Sequence, residues 1–410
     1  MTQTHLPPSS ARRLMLAVGA LGLGGFTIGT AEFVSMGVLP EIARGMGVGV
    51  PHAGRAISAY ALGVVVGAPL LAAATARLPR RRVLIALMAA YGAGNLASAL
   101  VSSFPALLVA RFVAGLPHGA FFGIAALVAA QLAPPTRRAS AVAGVLLGLS
   151  VANVVGVPMA TWIGQALGWR ASYAAVALLA AATIVAVLRN VPSADGDRRA
   201  GVRHELSALR RAQVWLVLAA GAIGGGGMFA VYSYISPILT GRTGVAAAIV
   251  PVGLALWGAG MVAASVIGGR LVDRRPVPAT FALFAVAAAC FALFAVTSAS
   301  AVPALLTVPM LGLGVAIATA LQVRLMDVAG DAQTLAAALN HSAFNVANAL
   351  GAWLGGAVLA GGLGLTAPMW LAVGLTLGGM GLFGASVALG RRSRVALAAR
   401  TPATRAYVRG

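Results

Sequence analysis

Apolar residues dominate this chain in long runs separated by short polar stretches. Twelve such runs occupy 14–38, 54–76, 83–103, 105–131, 139–164, 171–189, 213–238, 246–269, 279–298, 302–326, 333–360 and 367–389. A helix of about 20 residues crosses a hydrocarbon core of roughly 30 Å, so every run is long enough to span a bilayer. The period-two alternation of an outer-membrane barrel is absent. The pattern predicts an all-α polytopic membrane protein with twelve transmembrane helices. The first run is too long for a signal-peptide core and reads as a retained span.

The longest polar stretch before the tail, Asn190 to Gln213, falls near the middle. It divides the chain into a six-helix bundle at 1–189, a linker at 190–212, a second six-helix bundle at 213–389 and a basic tail at 390–410. Related segments recur across that division, as expected of a repeat. ANVVG at 152–156 matches ANALG at 347–351, an offset of 195 that sets Asn153 opposite Asn348 and Gly156 opposite Gly351. Pro40 and Pro237 end the first and seventh runs at an offset of 197. Two parallel six-helix repeats with pseudo-symmetry are the architecture of many secondary transporters, whose site lies between the halves near the midplane.

Composition narrows the function. The chain is 60% hydrophobic and only 9% charged, far from the roughly 25% charged of a soluble domain. Its net charge of +21 comes from 29 basic residues, all arginine. Arg44, Arg55, Arg170 and Arg242 lie in loops on one side, Arg111 lies in a span, and the others follow loops and termini of the opposite side. That asymmetry predicts both termini in the cytoplasm and explains the charge without nucleic acid. Lacking Lys, the chain has no Walker A motif, and no polar segment is large enough for an ATPase domain. No cofactor is therefore expected; an ion gradient, or the solute's own gradient, must supply the energy. The single cysteine, Cys290, excludes disulfides within the chain and cysteine metal sites. Five scattered histidines and no paired carboxylates in the spans argue against an enzyme. A non-transporting membrane sensor stays as an alternative of another class.

Several segments carry a family likeness: GTAEFVSMGVLPEIA (Gly29–Ala43), ISAYALGVVVGAPL (Ile57–Leu70), ARFVAGLPHGAFFG (Ala110–Gly123), GLSVANVVGVPMATWIGQALGWR (Gly148–Arg170), YSYISPIL (Tyr232–Leu239) and NHSAFNVANALGAWLGG (Asn340–Gly356). Over essentially its whole length the chain resembles the major facilitator superfamily, in particular the twelve-span drug:proton antiporters. Within that group it is similar to the bacterial branch of arabinose or sugar-efflux and related inner-membrane exporters. The resemblance implies a monomeric, proton-coupled exporter of small organic molecules such as sugars, nucleosides or drugs, in the bacterial inner membrane. Symport or facilitated uptake of a sugar or nucleoside is the alternative direction.

Individual residues sharpen these expectations. Glu32 is a carboxylate inside an apolar span, which costs roughly 2.5–3.5 kcal/mol on insertion scales and marks a functional candidate. Arg111 lies at similar depth in the fourth run, so the two are expected to pair, either for proton coupling or recognition of a substrate cation, or as a static staple. In the family, an arginine of the fourth span in an R-x-x-x-G pattern is linked to proton transfer, and Arg111 with Gly115 fits it. His118 shares the face of Arg111 and reads as a relay or as a hydrogen-bonded cavity residue. Asn153, Tyr232, Tyr234, His341, Asn345 and Asn348 are expected to line an uncharged substrate cavity, the last three as one stripe at i, i+4, i+7. Gly148, Gly156, Pro158 and Gly164 resemble the antiporter signature of the fifth span and suit a gate between the halves, although Val157 interrupts the family's Gly-Pro. The loop after the second run reads AAATARLPRRR, with Ala76 where the family has Asp. Arg77, Arg80, Arg81 and, in the second copy, Asp273 and Arg274 are expected to form a cytoplasmic latch, weakened in the first half; the alternative for the arginines is that they only set topology.

Overall fold

The computed structural model describes residues 8–75, 77–134, 137–193, 211–329 and 333–400. Among the described residues, twelve helical segments are long and apolar enough to cross a membrane, and no strand occurs. The first half comprises α1 (Pro8–Gly37), the short α2 (Leu39–Met46) and α3 (Val50–Ala53), α4 (Arg55–Thr75), α5 (Arg80–Leu100), α6 (Phe104–Leu132), α7 (Arg138–Val151), α8 (Val157–Leu167) and α9 (Trp169–Asn190). The second comprises α10 (Ala212–Tyr232), α11 (Ile235–Pro237), α12 (Val250–Arg274), α13 (Pro276–Thr297), α14 (Ala301–Leu311), α15 (Gly314–Ala329), α16 (Gln333–Ala360) and α17 (Ala367–Arg400). Large apolar side chains such as Leu100, Leu178, Val296 and Leu306 stand exposed around the bundle, as a lipid-facing surface requires.

Three runs expected as single helices are broken, each beside a proline. Proline lacks the N–H that would bond the carbonyl four residues back, so the ladder fails there. The fifth span changes from α7 to a π turn at Ala152–Gly156 and resumes as α8 around Pro158. The seventh stops at Tyr232, just before Ser233, whose carbonyl the missing N–H of Pro237 leaves without its helical bond, and continues through α11 and a π turn at Ile238–Arg242. The tenth breaks at Gly312 after Pro309, separating α14 from α15.

The repeat is visible in backbone contacts. Gly63 of α4 and Gly115 of α6 meet where a β-carbon on Gly115 would strike the Tyr60 carbonyl and come within 3.1 Å of the Val64 nitrogen. At an offset of 197, Gly260 of α12 and Gly312 after α14 make the same crossing, with a β-carbon on Gly312 falling 2.9 Å from the Trp257 carbonyl. Small residues let helix backbones touch, and the same device closes both halves.

The apolar core is not divided equally. One cluster, built around Leu21, Ile28, Val64, Leu84, Met88, Phe121 and Val145, stays within the first half. The other fills the second half and runs on into the first through Phe33, Val38, Ile42, Ala53, Ile57 and Trp169. These residues sit at the end of the bundle poor in arginine, so there the two halves share one core. Ser58 Oγ donates to the Ala349 carbonyl at 3.0 Å, and Gln165 Nε2 donates to the Ala247 carbonyl at 3.0 Å across the same seam.

Candidate functional site

The fourth span, α6, delivers Arg111 into the interior of the first half, where it is fully buried. Its Nη1 donates to Asn95 Oδ1 and its Nη2 to the Ala31 carbonyl, both at 3.2 Å. The guanidinium carbon lies 4.4 Å from the centre of the Tyr60 ring and 4.9 Å from that of Tyr173. Arg111 is thus held by neutral oxygens and aromatic faces, and the expected ion pair with Glu32 does not form. Among the described residues the salt bridge is Arg44–Glu41, at the surface. The reason is helical geometry: successive residues turn by about 100°, so the Ala31 carbonyl can face Arg111 while the side chain of Glu32 points elsewhere. The carboxylate stays within electrostatic reach of Arg111.

Glu32 faces the second half. It is 7% exposed, and its Oε1 accepts a hydrogen bond from Asn348 Nδ2 of α16 at 3.4 Å. Next to it, Phe33 tilts against Tyr232 of α10 with ring centres 5.5 Å apart, and Tyr232 stacks on Trp257 of α12 at 4.6 Å. Beside Trp257, Gly258 meets the backbone of Asn153 so closely that a β-carbon would lie 2.6 Å from its carbonyl carbon. Asn153 Nδ2 donates to the Leu149 carbonyl at 2.9 Å, and Asn345 Nδ2 to the His341 carbonyl at 3.1 Å. The acceptor oxygens of Asn153, Asn345 and Asn348, the Tyr232 hydroxyl and Trp257 Nε1 are buried without hydrogen-bond partners among the described residues. Left dry, each such atom costs about 1–3 kcal/mol, so these groups are able to bond water or a polar solute at the seam.

His118 and His341, expected separately as relay and cavity residue, come together across the seam with ring centres 5.3 Å apart. Tyr60 bonds His118 Nδ1 at 3.0 Å and Tyr91 at 2.8 Å, and Tyr91 donates to the Ile28 carbonyl at 3.1 Å.

Other expected site residues lie elsewhere. Tyr234 does not join the cavity group: its hydroxyl donates to the Ala352 carbonyl at 2.7 Å and fills the notch between Gly54 and Gly356. Gly148, Gly156 and Gly164 do not face the other half. Added β-carbons would lie 2.8 Å from Phe26 nitrogen at Gly148 and 3.0 Å from the Phe26 ring at Gly156, so these two glycines seat the fifth span on α1, while one at Gly164 would lie 2.6 Å from Val38, between α1 and α2, and strike Ser172 of α9. Small residues belong where backbones touch, and for this span that is α1; Pro158 follows the π turn that presents Asn153 to Gly258. The latch is not assembled in this conformation. Arg81 donates to the Leu188 carbonyl of its own half, Arg80 is buried, and Arg77, Asp273 and Arg274 are exposed, with no hydrogen bond joining them across the halves among the described residues. Ala76 lies outside the described residues. A cavity of about 410 Å³ lined by Arg211, Gln213 and Val328 lies at the arginine-rich end of the second half, away from the group.

Residues that sequence reasoning missed are Tyr60, Tyr91, Asn95, Tyr173, Trp257 and Gly258. Tyr91 and Asn95 carried a signal, a polar-tipped pair at i, i+4 on an otherwise apolar run, and Trp257 carried an indole N–H. Gly258 could not be distinguished among 52 glycines.

Two six-helix halves that share a core at one end, with unpartnered polar groups and a lone carboxylate along their seam, define the secondary-transporter class. The chain belongs to the Major Facilitator Superfamily, whose family model matches residues 21–352. It is 40% identical over 346 residues to the inner membrane transport protein YdhP of Escherichia coli K12, covering 84% of this chain and 89% of that one. A chloramphenicol resistance protein of Streptomyces lividans is 34% identical over 352 residues, covering 84% of this chain and 89% of that one. Among solved structures, a bacterial homologue of the human lysosomal transporter Spinster, inward-facing and unoccupied, superposes with a TM-score of 0.72 at 15% identity, covering 97% of this chain and 100% of the other. The protein is thus a multi-pass inner-membrane transporter of the superfamily.

Proposed function

We propose that the chain is a proton-driven exporter of small organic molecules, working by alternating access with its arginine-rich end in the cytoplasm. The observation that carries the reading is Glu32, a buried carboxylate without an ion pair, hydrogen-bonded to Asn348 of the opposite half. A group so placed changes surroundings whenever the halves rock, and its affinity for a proton changes with them. Arg111, fixed to neutral partners, supplies a constant positive potential beside it. The likeness to a chloramphenicol resistance protein favours efflux of drug-like solutes. Asn153, Asn345, Asn348, Tyr232 and Trp257 offer the solute hydrogen bonds and an aromatic face. One proton crossing about 150 mV contributes roughly 3.4 kcal/mol, enough for a solute gradient of about 300-fold at 1.36 kcal/mol per decade.

The test uses proteoliposomes loaded acidic inside with a pH dye and challenged with sugars, nucleosides and antibiotics. Wild type is expected to move protons with one class of compound, and Glu32→Gln to abolish that movement while binding the solute. Proton flux at the wild-type level in well-folded Glu32→Gln protein would overturn the reading.

A further inference from the structure

The proposed coupling through Glu32 leaves the two histidines at the seam without a role, and the hydrogen bonds around His118 determine where its proton sits. A carbonyl only accepts, so Tyr91 spends its one hydroxyl proton on the Ile28 oxygen. Tyr60 must then donate to Tyr91, which leaves the Tyr60 oxygen as an acceptor toward His118. His118 therefore carries a proton on Nδ1, and in the neutral ring its Nε2 is a bare lone pair. That Nε2 is buried and has no partner among the described residues, and the same holds for Nε2 of His341. The ring centres are 5.3 Å apart and the planes are tilted by 55°, so rotation of the side chains is enough to bring the two Nε2 atoms to a hydrogen-bond distance of about 3 Å. Phe122 packs on both rings, at 5.4 and 6.2 Å, and shields them. Two buried nitrogens on adjoining rings, packed on one side by Phe122, are each left without a partner, and one proton held between them would partner both.

We infer that His118 and His341 together bind one proton across the seam, as an Nε2–H···Nε2 bridge between α6 of one half and α16 of the other. The bond that forms is one N–H on either ring, the other nitrogen accepting; the pair gains one positive charge and returns the same proton when the rings separate. His341 lies eight residues into α16, about 12 Å from its start at 1.5 Å per residue. The bridge is therefore nearer the arginine-rich end than Glu32–Asn348 is, and opening that end pulls it apart. The ionisable groups facing the pair are Tyr60 from α4 and, behind it, Tyr91 from α5, both serving the fixed hydrogen-bond chain. Across the seam the two histidine rings adjoin each other. Arg111 on α6 and Glu32 beyond Asn348 lie about two helical turns away. That release is to the cytoplasm rests on the orientation and coupling proposed above; that the bridge exists does not.

The test follows the spacing of spin labels across the arginine-rich end in lipid nanodiscs from pH 5 to 8, by double electron–electron resonance. One linked proton changes the closed-to-open ratio by up to tenfold per pH unit, closed being favoured at low pH. His118→Asn, which keeps a donor toward Tyr60, and His341→Gln are each expected to remove the same pH-dependent component, and the double variant to remove no more. Losses that add in the double variant, or a component surviving in either single variant, would overturn the bridge. If a variant fails to fold, imidazole nitrogen-15 resonances of wild type decide instead. A shared midpoint for two of the five histidines supports the bridge, and five independent titrations refute it. In Glu32→Gln protein the pH-dependent component is expected to persist, so failure of the coupling proposal and failure of the bridge give different results.

Discussion

Gly258 offers the sharpest test of how the halves meet. Its position on α12 lies against the backbone of the π turn, and a β-carbon there would sit 2.6 Å from the carbonyl carbon of Asn153 and 3.0 Å from the nitrogen of Val154. Both obstacles are main-chain atoms, which cannot swing aside as a side-chain tip can. Gly258→Ala therefore forces α12 off the fifth span in this conformation. Overpacking of this kind costs about 1–3 kcal/mol, which at 1.36 kcal/mol per decade is a shift of about 5- to 150-fold toward the state in which the arginine-poor end parts. Spin labels at the exposed Ala166 and Ala248, beside the Gln165–Ala247 hydrogen bond, report that separation directly. The variant is expected to populate a longer distance. Gly123→Ala, where a β-carbon meets nothing within 4 Å, is expected to leave the distribution unchanged. An unaltered distribution in folded Gly258→Ala protein would refute the claim that this crossing closes the seam.

Other outcomes follow from the same geometry. Tyr173→Leu removes one aromatic face from Arg111 and the hydroxyl bonded to Ser35 at 2.7 Å; a loss of about 2 kcal/mol is expected as a lowered unfolding temperature in detergent. Tyr234→Phe leaves the Ala352 carbonyl without its donor and is expected to cost about 1 kcal/mol of stability without changing solute affinity. A large change in affinity would return Tyr234 to the binding site. Gly148→Val should abolish stable expression by driving α7 from α1, whereas a folded protein with altered transport direction would support a gating role instead. Asn348→Leu removes the hydrogen bond to Glu32 and is expected to move the pH midpoint of transport, read from the same dye assay; an unmoved midpoint would separate Asn348 from coupling.

Much of this protein was written in its residue pattern. Burial in lipid demands about twenty apolar residues per crossing, so the number of spans could be read directly, and the repeat offset could be found because two copies of one bundle keep their small residues in register. Glu32, Arg111, His118 and the stripe on α16 stood out for a related reason: polar groups are rare where they are expensive. What each of them touches was decided only by the tertiary structure. A run of hydropathy does not say which way a side chain points around its helix, so Glu32 was expected at Arg111 and is found at Asn348, one residue's rotation away. The helix breaks at Ala152–Gly156, Tyr232 and Gly312 depend on how neighbouring spans absorb the proline defects. The glycines of the fifth span looked alike in sequence to Gly258, yet one set seats a helix inside its own half and the other closes the seam. The histidine pair is the clearest case: its members are 223 positions apart in the chain, on helices of different halves, and only the docking of those halves brings the two rings together.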